Sequence, residues 1–411
     1  GNSKKLSYLQ LVYIKELPNL NHMHLLKRNI VIFKIEGALI GLCQIWAPVF
    51  VIYQMINVNL SISQVLIGET VLFVVIFFSE IPSGIIADYL GRKRTLIIQS
   101  LFMLLSIFAF IIAKDFTNII VAQFLFGIAM ALSSGTQESL FFDTLKKMKL
   151  EKQHKKIRGE YNMITQIFTI IGMISAGFIA NIDISFPLII AGILYILILI
   201  LRGFLVEATF QKKNQHPTMH LLSSIKFSFF NKNIRNLLMF FAVLSTSSVL
   251  LFNTINPYFE ITNLPIKAYG LAFAFFSLIS AITSKYTYKF EALVGLKQTL
   301  ILIWLLTVCG FTFLWGINAM IIGSLLFPAL LRSSESAGNI VIKDAIHQET
   351  NSYHRATVIS ISAFINSLFT IIMLPILAVI IDFKGLLFSY LFLAIIVFIV
   401  GGISLLIIKQ N

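Results

Sequence analysis

Acidic side chains are scarce in this chain. Only 18 Asp and Glu stand against 32 Lys and Arg, and charged residues of both signs make up 12% of the 411 positions. Soluble domains carry about a quarter. With 57% hydrophobic residues, 38 Phe and a mean hydropathy of +0.88, the chain holds more apolar surface than a water-soluble fold hides. Cysteine is nearly absent. Cys43 and Cys309 both fall inside apolar runs, where they read as small hydrophobes rather than a disulfide or a metal pair. There is no Gly-Lys-Ser/Thr phosphate loop, no nucleophile motif and no metal-ligand spacing. His22-Met23-His24 reads as a solvated turn. An enzyme or an ATP-driven pump is thereby excluded, and no cofactor or metal is expected. Nor is a cleavable leader expected, since the first strongly apolar run begins only near Asn29.

What is present is a succession of apolar runs of membrane length. Crossing a bilayer core takes about 20 residues per helix. Hydropathy places spans at 29–54, 62–83, 95–113, 116–142, 161–181 and 184–206, then at 234–260, 267–289, 296–317, 319–342, 354–381 and 385–408. The runs do not alternate with polar residues, so helices rather than a barrel follow. The expected fold is an all-α polytopic membrane protein of twelve transmembrane helices in two six-helix bundles, 29–206 and 234–408. Residues 207–233, the most polar stretch, read as the linker between them. Residues 1–28 precede the first span. Within them Leu6–Leu26, flanked by Lys4, Lys5, Lys15, Lys27 and Arg28, suits an amphipathic helix on the inner leaflet.

The bases are distributed asymmetrically. The side holding both termini collects Arg92-Lys93-Arg94, the run from Lys146 to Arg158 and the linker lysines; the opposite side has only Lys114, Lys267 and Lys384. The positive-inside rule puts both termini in the cytoplasm. It also accounts for the net charge of +14 as topology and attraction to anionic membrane lipid, with no nucleic-acid partner.

An internal repeat links the halves. Leu90-Gly-Arg-Lys-Arg-Thr-Leu-Ile97 and Val294-Gly-Leu-Lys-Gln-Thr-Leu-Ile301 share Gly91/Gly295, Lys93/Lys297 and the Thr-Leu-Ile that opens the next span. Ala292 stands where the first copy has Asp88. Asp143 before the basic loop to Arg158, and Asp344 before that to Arg355, give a second echo.

The run Gly84-Ile-Ile-Ala-Asp-Tyr-Leu-Gly-Arg-Lys-Arg94 lies between spans 2 and 3. Its order, G-x-x-x-D-x-x-G-R-K-R, resembles the signature loop of major facilitator superfamily transporters. Glu80-Ile-Pro-Ser-Gly84 resembles the lead-in found in a bacterial branch of that family, as do Ser134–Asp143 and Arg355–Ser360. The resemblance implies pseudo-symmetric halves with a solute site near the midplane. It also implies a conformational latch of Gly84, Asp88, Gly91, Arg92, Glu80 and Arg158 that clasps the other half, with Arg355 as counterpart. The family's helix 4 arginine is replaced by Gln123, and its helix 5 antiporter motif is reduced to Gly172-Met-Ile-Ser-Ala-Gly177, which departs from ordinary drug/proton antiport.

Ionisable residues inside spans are costly and usually functional. Glu69 and Glu80 lie about three turns apart on one face of span 2. Glu80 belongs to the latch and Glu69 faces the cavity; with Glu69, the acids available for proton coupling are Glu36, Glu138 and Glu335, and Gln123 joins them as a cavity candidate. Arg332 falls about 20 Å along span 10, one turn from Glu335. It is either an anchor for an anionic solute or half of a structural ion pair. Lys34 reads as snorkelling to the interface. The functional expectation is a monomeric secondary transporter in a bacterial inner membrane, coupled to the proton gradient and exporting a drug-like compound or metabolite. The alternatives are uptake of a carboxylate-bearing metabolite held by Arg332, or a receptor that moves no solute.

Overall fold

Apolar runs in lipid satisfy their backbone groups through the helical ladder, because no water is available. The computed structural model describes residues 20–207, 231–317, 319–320, 322–350 and 355–407, and every regular element among them is helical. The first half comprises α1 (Leu20–Cys43), a 3-10 turn at Gln44–Val49, α2 (Phe50–Asn57), α3 (Ile62–Leu90), α4 (Arg92–Ile112), α5 (Phe116–Ser133), α6 (Thr136–Lys147), α7 (His154–Ala180) and α8 (Phe186–Gly203). The second half comprises α9 (Lys232–Ile261), α10 (Ile266–Val294), α11 (Leu296–Gly316), α12 (Phe327–Glu349), α13 (Arg355–Lys384), α14 (Leu386–Ile396) and α15 (Gly402–Ile407). Single π-helical turns at Ile322–Leu326 and Val397–Gly401 interrupt it.

Among the described residues, 11 helical stretches are long and apolar enough to cross a membrane, one fewer than expected. The stretch that falls short is span 10. It opens on a π turn, and Arg332-Ser-Ser-Glu-Ser336 dilutes its apolar content. It still packs against α9, α10 and α11 as a member of the bundle. Span 4 is not continuous: Gly135, at φ +69°, ends α5 and starts α6. Span 1 starts early, so Leu20–Leu26 are the first turns of α1 and His22–His24 are helical rather than a turn. The rest of the proposed surface helix lies outside the described residues, as do 208–230 of the linker.

The repeat is visible in backbone geometry. Gly91 (φ +91°, ψ 151°) and Gly295 (φ +88°, ψ 164°) adopt the same conformation between the long helices they join. Thr95 and Thr299 each donate from Oγ1 to that glycine's carbonyl, at 2.9 and 2.8 Å. This conformation is essentially closed to residues with a Cβ, at a cost of about 1–3 kcal/mol. Gly91→Ala and Gly295→Ala are therefore expected to destabilise the protein by similar amounts in thermal unfolding. A neutral Gly295→Ala would deny the equivalence.

Among the described residues the halves meet from one end to about mid-helix, where the Phe77 and Phe364 rings lie 4.5 Å apart. At the end remote from Gly91, Asn256 of α9 accepts from the Ile52 amide at 3.3 Å and donates to the Pro48 carbonyl at 2.9 Å. Ser63 of α3 donates to the Ala378 carbonyl of α13 at 3.2 Å and to the Asp382 carboxylate. Here a single apolar cluster joins Val49, Ile52, Leu66 and Ala180 to Ile255, Phe259, Phe273 and Ala378. At the Gly91 end the cores are separate, one around Phe33, Leu96 and Phe141 and the other around Leu237, Ile303 and Val341. The bundles diverge toward that end.

Candidate functional site

Where the bundles diverge they enclose a cavity of about 190 Å³. Local breaks in regular structure shape it. Pro48 sits in the 3-10 turn that interrupts the helix between Cys43 and Phe50, and this turn presents Gln44 and Trp46. Opposite them, Phe252 of α9 and Phe273, Phe276 and Ser277 of α10 form the second-half wall. Phe252 and Phe273 meet edge to face at 6.0 Å. The wall is thus aromatic, with a few polar groups set into it.

Arg332 of α12 is the one charged side chain among the described residues lining the cavity. Its Nη1 donates to Glu335 Oε2 at 2.9 Å and to the Ser248 hydroxyl, which itself donates to Glu335 at 2.8 Å. A guanidinium carries five N–H donors. Here Nε and Nη2 have no partner among the described residues, and the side chain is 41% exposed. The expected i,i+3 pair with Glu335 therefore forms, while the rest of the fork remains available to a ligand.

Glu69 of α3 lies between the halves. Gln123 Nε2 of α5 donates to its Oε2 at 3.2 Å, and the side-chain amide of Asn253 of α9 lies beside it from the other half. Gln123 Oε1 and Asn253 Oδ1 are buried without partners. No base pairs with Glu69 among the described residues. Glu69 and Gln123, both cavity candidates from the sequence, thus meet each other, but neither lines the Arg332 cavity.

The other acids lie elsewhere. Glu36, expected at the cavity, is fully buried inside the first half against Arg202 of α8. Arg202 Nη2 lies 2.7 Å from Glu36 Oε1, and Nη1 donates to Leu96 O at 2.8 Å, to Ser100 Oγ at 2.7 Å and to Gln99. Glu138 pairs with Arg158 at 2.8 Å and meets His154 at 3.2 Å, at the divergent end of the first half. Arg158 also lies over the Tyr161 ring at 4.6 Å. Lys34 pairs with Glu160 at 2.7 Å instead of snorkelling alone.

The latch expected from the signature loop is not assembled in this state. Arg92 pairs with Asp143 and donates to Ser139 O at 2.9 Å, so both Arg92 and Arg158 are engaged within their own half. Asp88 is exposed and forms no ion pair among the described residues, and the Glu80 side chain makes no hydrogen bond or ion pair there. Gly84 faces open space rather than a helix. The side chain of Arg355 lies outside the described residues. The physical reason is the divergence of the halves at this end: what Asp88 would clasp is out of reach. Glu207, assigned to the linker, instead docks on the loop. Its carboxylate accepts from the Arg92 and Lys93 amides at 2.9 and 2.8 Å, capping the positive N-terminus of α4.

Sequence reasoning missed Arg202 and the aromatic wall. Arg202 ends an apolar run, so it passed for a boundary charge; an unpaired acid in span 1 was the signal that a buried base had to exist. For the wall no signal existed, because Phe is everywhere in this chain and only packing selects which rings turn inward.

The comparisons agree with this architecture. The MFS-type transporter YxaM of Bacillus subtilis (strain 168), itself uncharacterised, is 25% identical over 271 residues, covering 63% of this chain and 66% of that protein, just under two thirds of its length. The crystal structure of the nucleoside transporter NupG superposes with a TM-score of 0.79 at 13% identity, covering 93% of this chain and 99% of the other. A bacterial homologue of the lysosomal transporter Spinster, inward-facing and unoccupied, gives 0.73 at 13% identity over 93% and 96% of the two chains. A D-xylose–proton symporter gives 0.71 at 14% identity over 93% and 98%. At such identities these likenesses speak for the fold alone. Residues 37–319 match the sequence model of the Major Facilitator Superfamily, and with its two diverging bundles, its repeated glycine turn and its signature loop, the chain belongs to that superfamily of membrane transporters.

Proposed function

We propose that the chain takes up a small organic anion with an apolar or aromatic body, by proton symport and alternating access. The observation that carries this reading is Arg332, with its half-free guanidinium set in an aromatic cavity between the halves. A carboxylate satisfies the open edge of the fork bidentately, while the Phe and Trp surfaces accept the body of the solute. Of the two solute classes the sequence leaves open, this favours the anion held by Arg332 over a drug-like compound for export.

Proton coupling follows by elimination and by charge balance. Glu36, Glu138 and Glu335 each have an arginine as counter-ion. Glu69 has only amides, so a proton is the available neutraliser. Carrying one negative charge inward costs about 2.3 kcal/mol per 100 mV of inside-negative potential, and a co-transported proton removes that cost. The protein acts as a monomer in the cytoplasmic membrane. The basic, divergent end faces the cytoplasm, so the described state is open inward.

Fluorescence of Trp46, read against a Trp46→Phe control, tests the solute class with a panel of aromatic monocarboxylates and their uncharged amides. Binding of the acids alone is expected. Arg332→Gln should weaken it by about 10- to 100-fold, as loss of a charge-assisted hydrogen bond does. Equal binding of the amides, or an unaffected Arg332→Gln, counts against the anion. In proteoliposomes, Glu69→Gln should abolish uptake driven by a pH gradient and leave solute exchange intact. Retained gradient-driven uptake would sink the coupling.

A further inference from the structure

The second half carries another concavity, separate from the cavity between the bundles. It is a groove of about 190 Å³ between α10 and α11, floored by α12. Tyr286 and Phe290 form one wall, Leu302 and Leu306 the other, and Ala337 lies on the floor. Four of its hydroxyls are engaged by their own helices. Thr287 donates to Thr283 O at 2.7 Å and Thr299 to Gly295 O at 2.8 Å; Ser333 and Ser334 donate to Leu330 O at 2.8 and 2.9 Å. With those donors spent, the groove offers a ligand mainly hydrocarbon, which in a membrane protein suits an acyl chain.

The rim of the groove is cationic. Tyr286 is at once a wall residue and the platform for two bases: Lys285 Nζ lies 5.6 Å and Lys289 Nζ 5.7 Å from its ring centroid. Lys297 stands in the first turn of α11, two residues before the wall residue Thr299. None of the three has a carboxylate partner among the described residues. Glu291, the nearest acid along α10, lies close enough to Asp344 of α12 to feel its charge. A hydrocarbon groove with three uncompensated ammonium groups at one rim is complementary to a phosphate attached to acyl chains. A base near a membrane surface contributes about 1 kcal/mol toward an anionic headgroup.

We propose that this groove is a binding site for an anionic phospholipid, one acyl chain lying between α10 and α11 and the phosphate held by Lys285, Lys289 and Lys297. The site lies on the hairpin around Gly295, where the halves diverge, so its occupancy bears on the state in which the Gly295 end of α10 stands apart from the first half.

The full chain in detergent, titrated with phosphatidylglycerol or phosphatidylcholine and followed by thermal unfolding and native mass spectrometry, tests this. Phosphatidylglycerol is expected to raise the unfolding temperature by several degrees and to survive as a bound adduct, while phosphatidylcholine does neither. Lys285→Gln/Lys289→Gln should lose most of the shift. Lys155→Gln/Lys156→Gln, which removes the same charge from the first half, should keep it. Leu302→Trp, which fills the groove and leaves the lysines in place, should lose it as well. Equal stabilisation by phosphatidylcholine or by glycerol phosphate without acyl chains overturns the site. So does a full shift in the lysine double variant or in the filled groove.

Discussion

Glu36→Gln is expected to destabilise the protein by about 3–5 kcal/mol, the range seen when one partner of a buried ion pair is removed. The pair is sealed: Glu36 is 0% and Arg202 2% exposed. Arg202 spends its guanidinium on Glu36, on Leu96 O, on Gln99 and on Ser100, which ties α1 and α4 to α8. Neutralising Glu36 leaves a buried guanidinium without a counter-ion, and Arg202→Gln strands the carboxylate, whose Oε2 already lacks a hydrogen-bond partner among the described residues. Removing both with Glu36→Leu/Arg202→Leu should cost clearly less than the sum of the single changes, because no charge is then left uncompensated. Thermal unfolding of the purified chain provides the readout. A Glu36→Gln variant of unchanged stability that fails only in gradient-driven transport would return Glu36 to the coupling acids.

Gly270→Val is expected to abolish transport without unfolding the chain. At Gly270 an added Cβ would stand 2.0 Å from Met173 O and 3.0 Å from the Gly177 amide, and at Gly177 it would stand 2.5 Å from Lys267 O. Here α7 of the first half and α10 of the second touch backbone to backbone, which glycine alone permits. Overlap that deep penalises the state with this end closed and leaves untouched any state in which α7 and α10 are apart. Reversing a two-state population from 99:1 takes about 5.5 kcal/mol. Spin labels at Ile182 and Asn263, in a Cys309→Ser background, would report the separation across that end. The distance should lengthen in Gly270→Val, and unchanged distance with unchanged transport would show that closure does not depend on this contact.

Much of the architecture is legible in the sequence, because each of its signals is local. The long apolar runs dictate helices in lipid. The Gly-x-Lys-x-Thr-Leu-Ile register of the repeat survives as matching dihedrals at Gly91 and Gly295. Arg332 and Glu335 pair at 2.9 Å because i,i+3 spacing brings them together on any helix. Span 10 was the least legible element, since its charged and hydroxyl residues lower its hydropathy for the same reason that they make it useful.

Pairings between distant helices were not legible. Arg92 meets Asp143, Arg158 meets Glu138 and Arg202 meets Glu36, each across a sequence separation that hydropathy and motif spacing do not constrain. That Glu69, unlike Glu36, Glu138 and Glu335, has no arginine partner among the described residues is likewise visible only in the tertiary structure. Composition, span length, the repeated turn and the family follow from the sequence alone, because they depend on neighbours within a turn or two. The open end, the Arg332 cavity and the unengaged Asp88 belong to the tertiary structure, because they depend on how two bundles lean against each other.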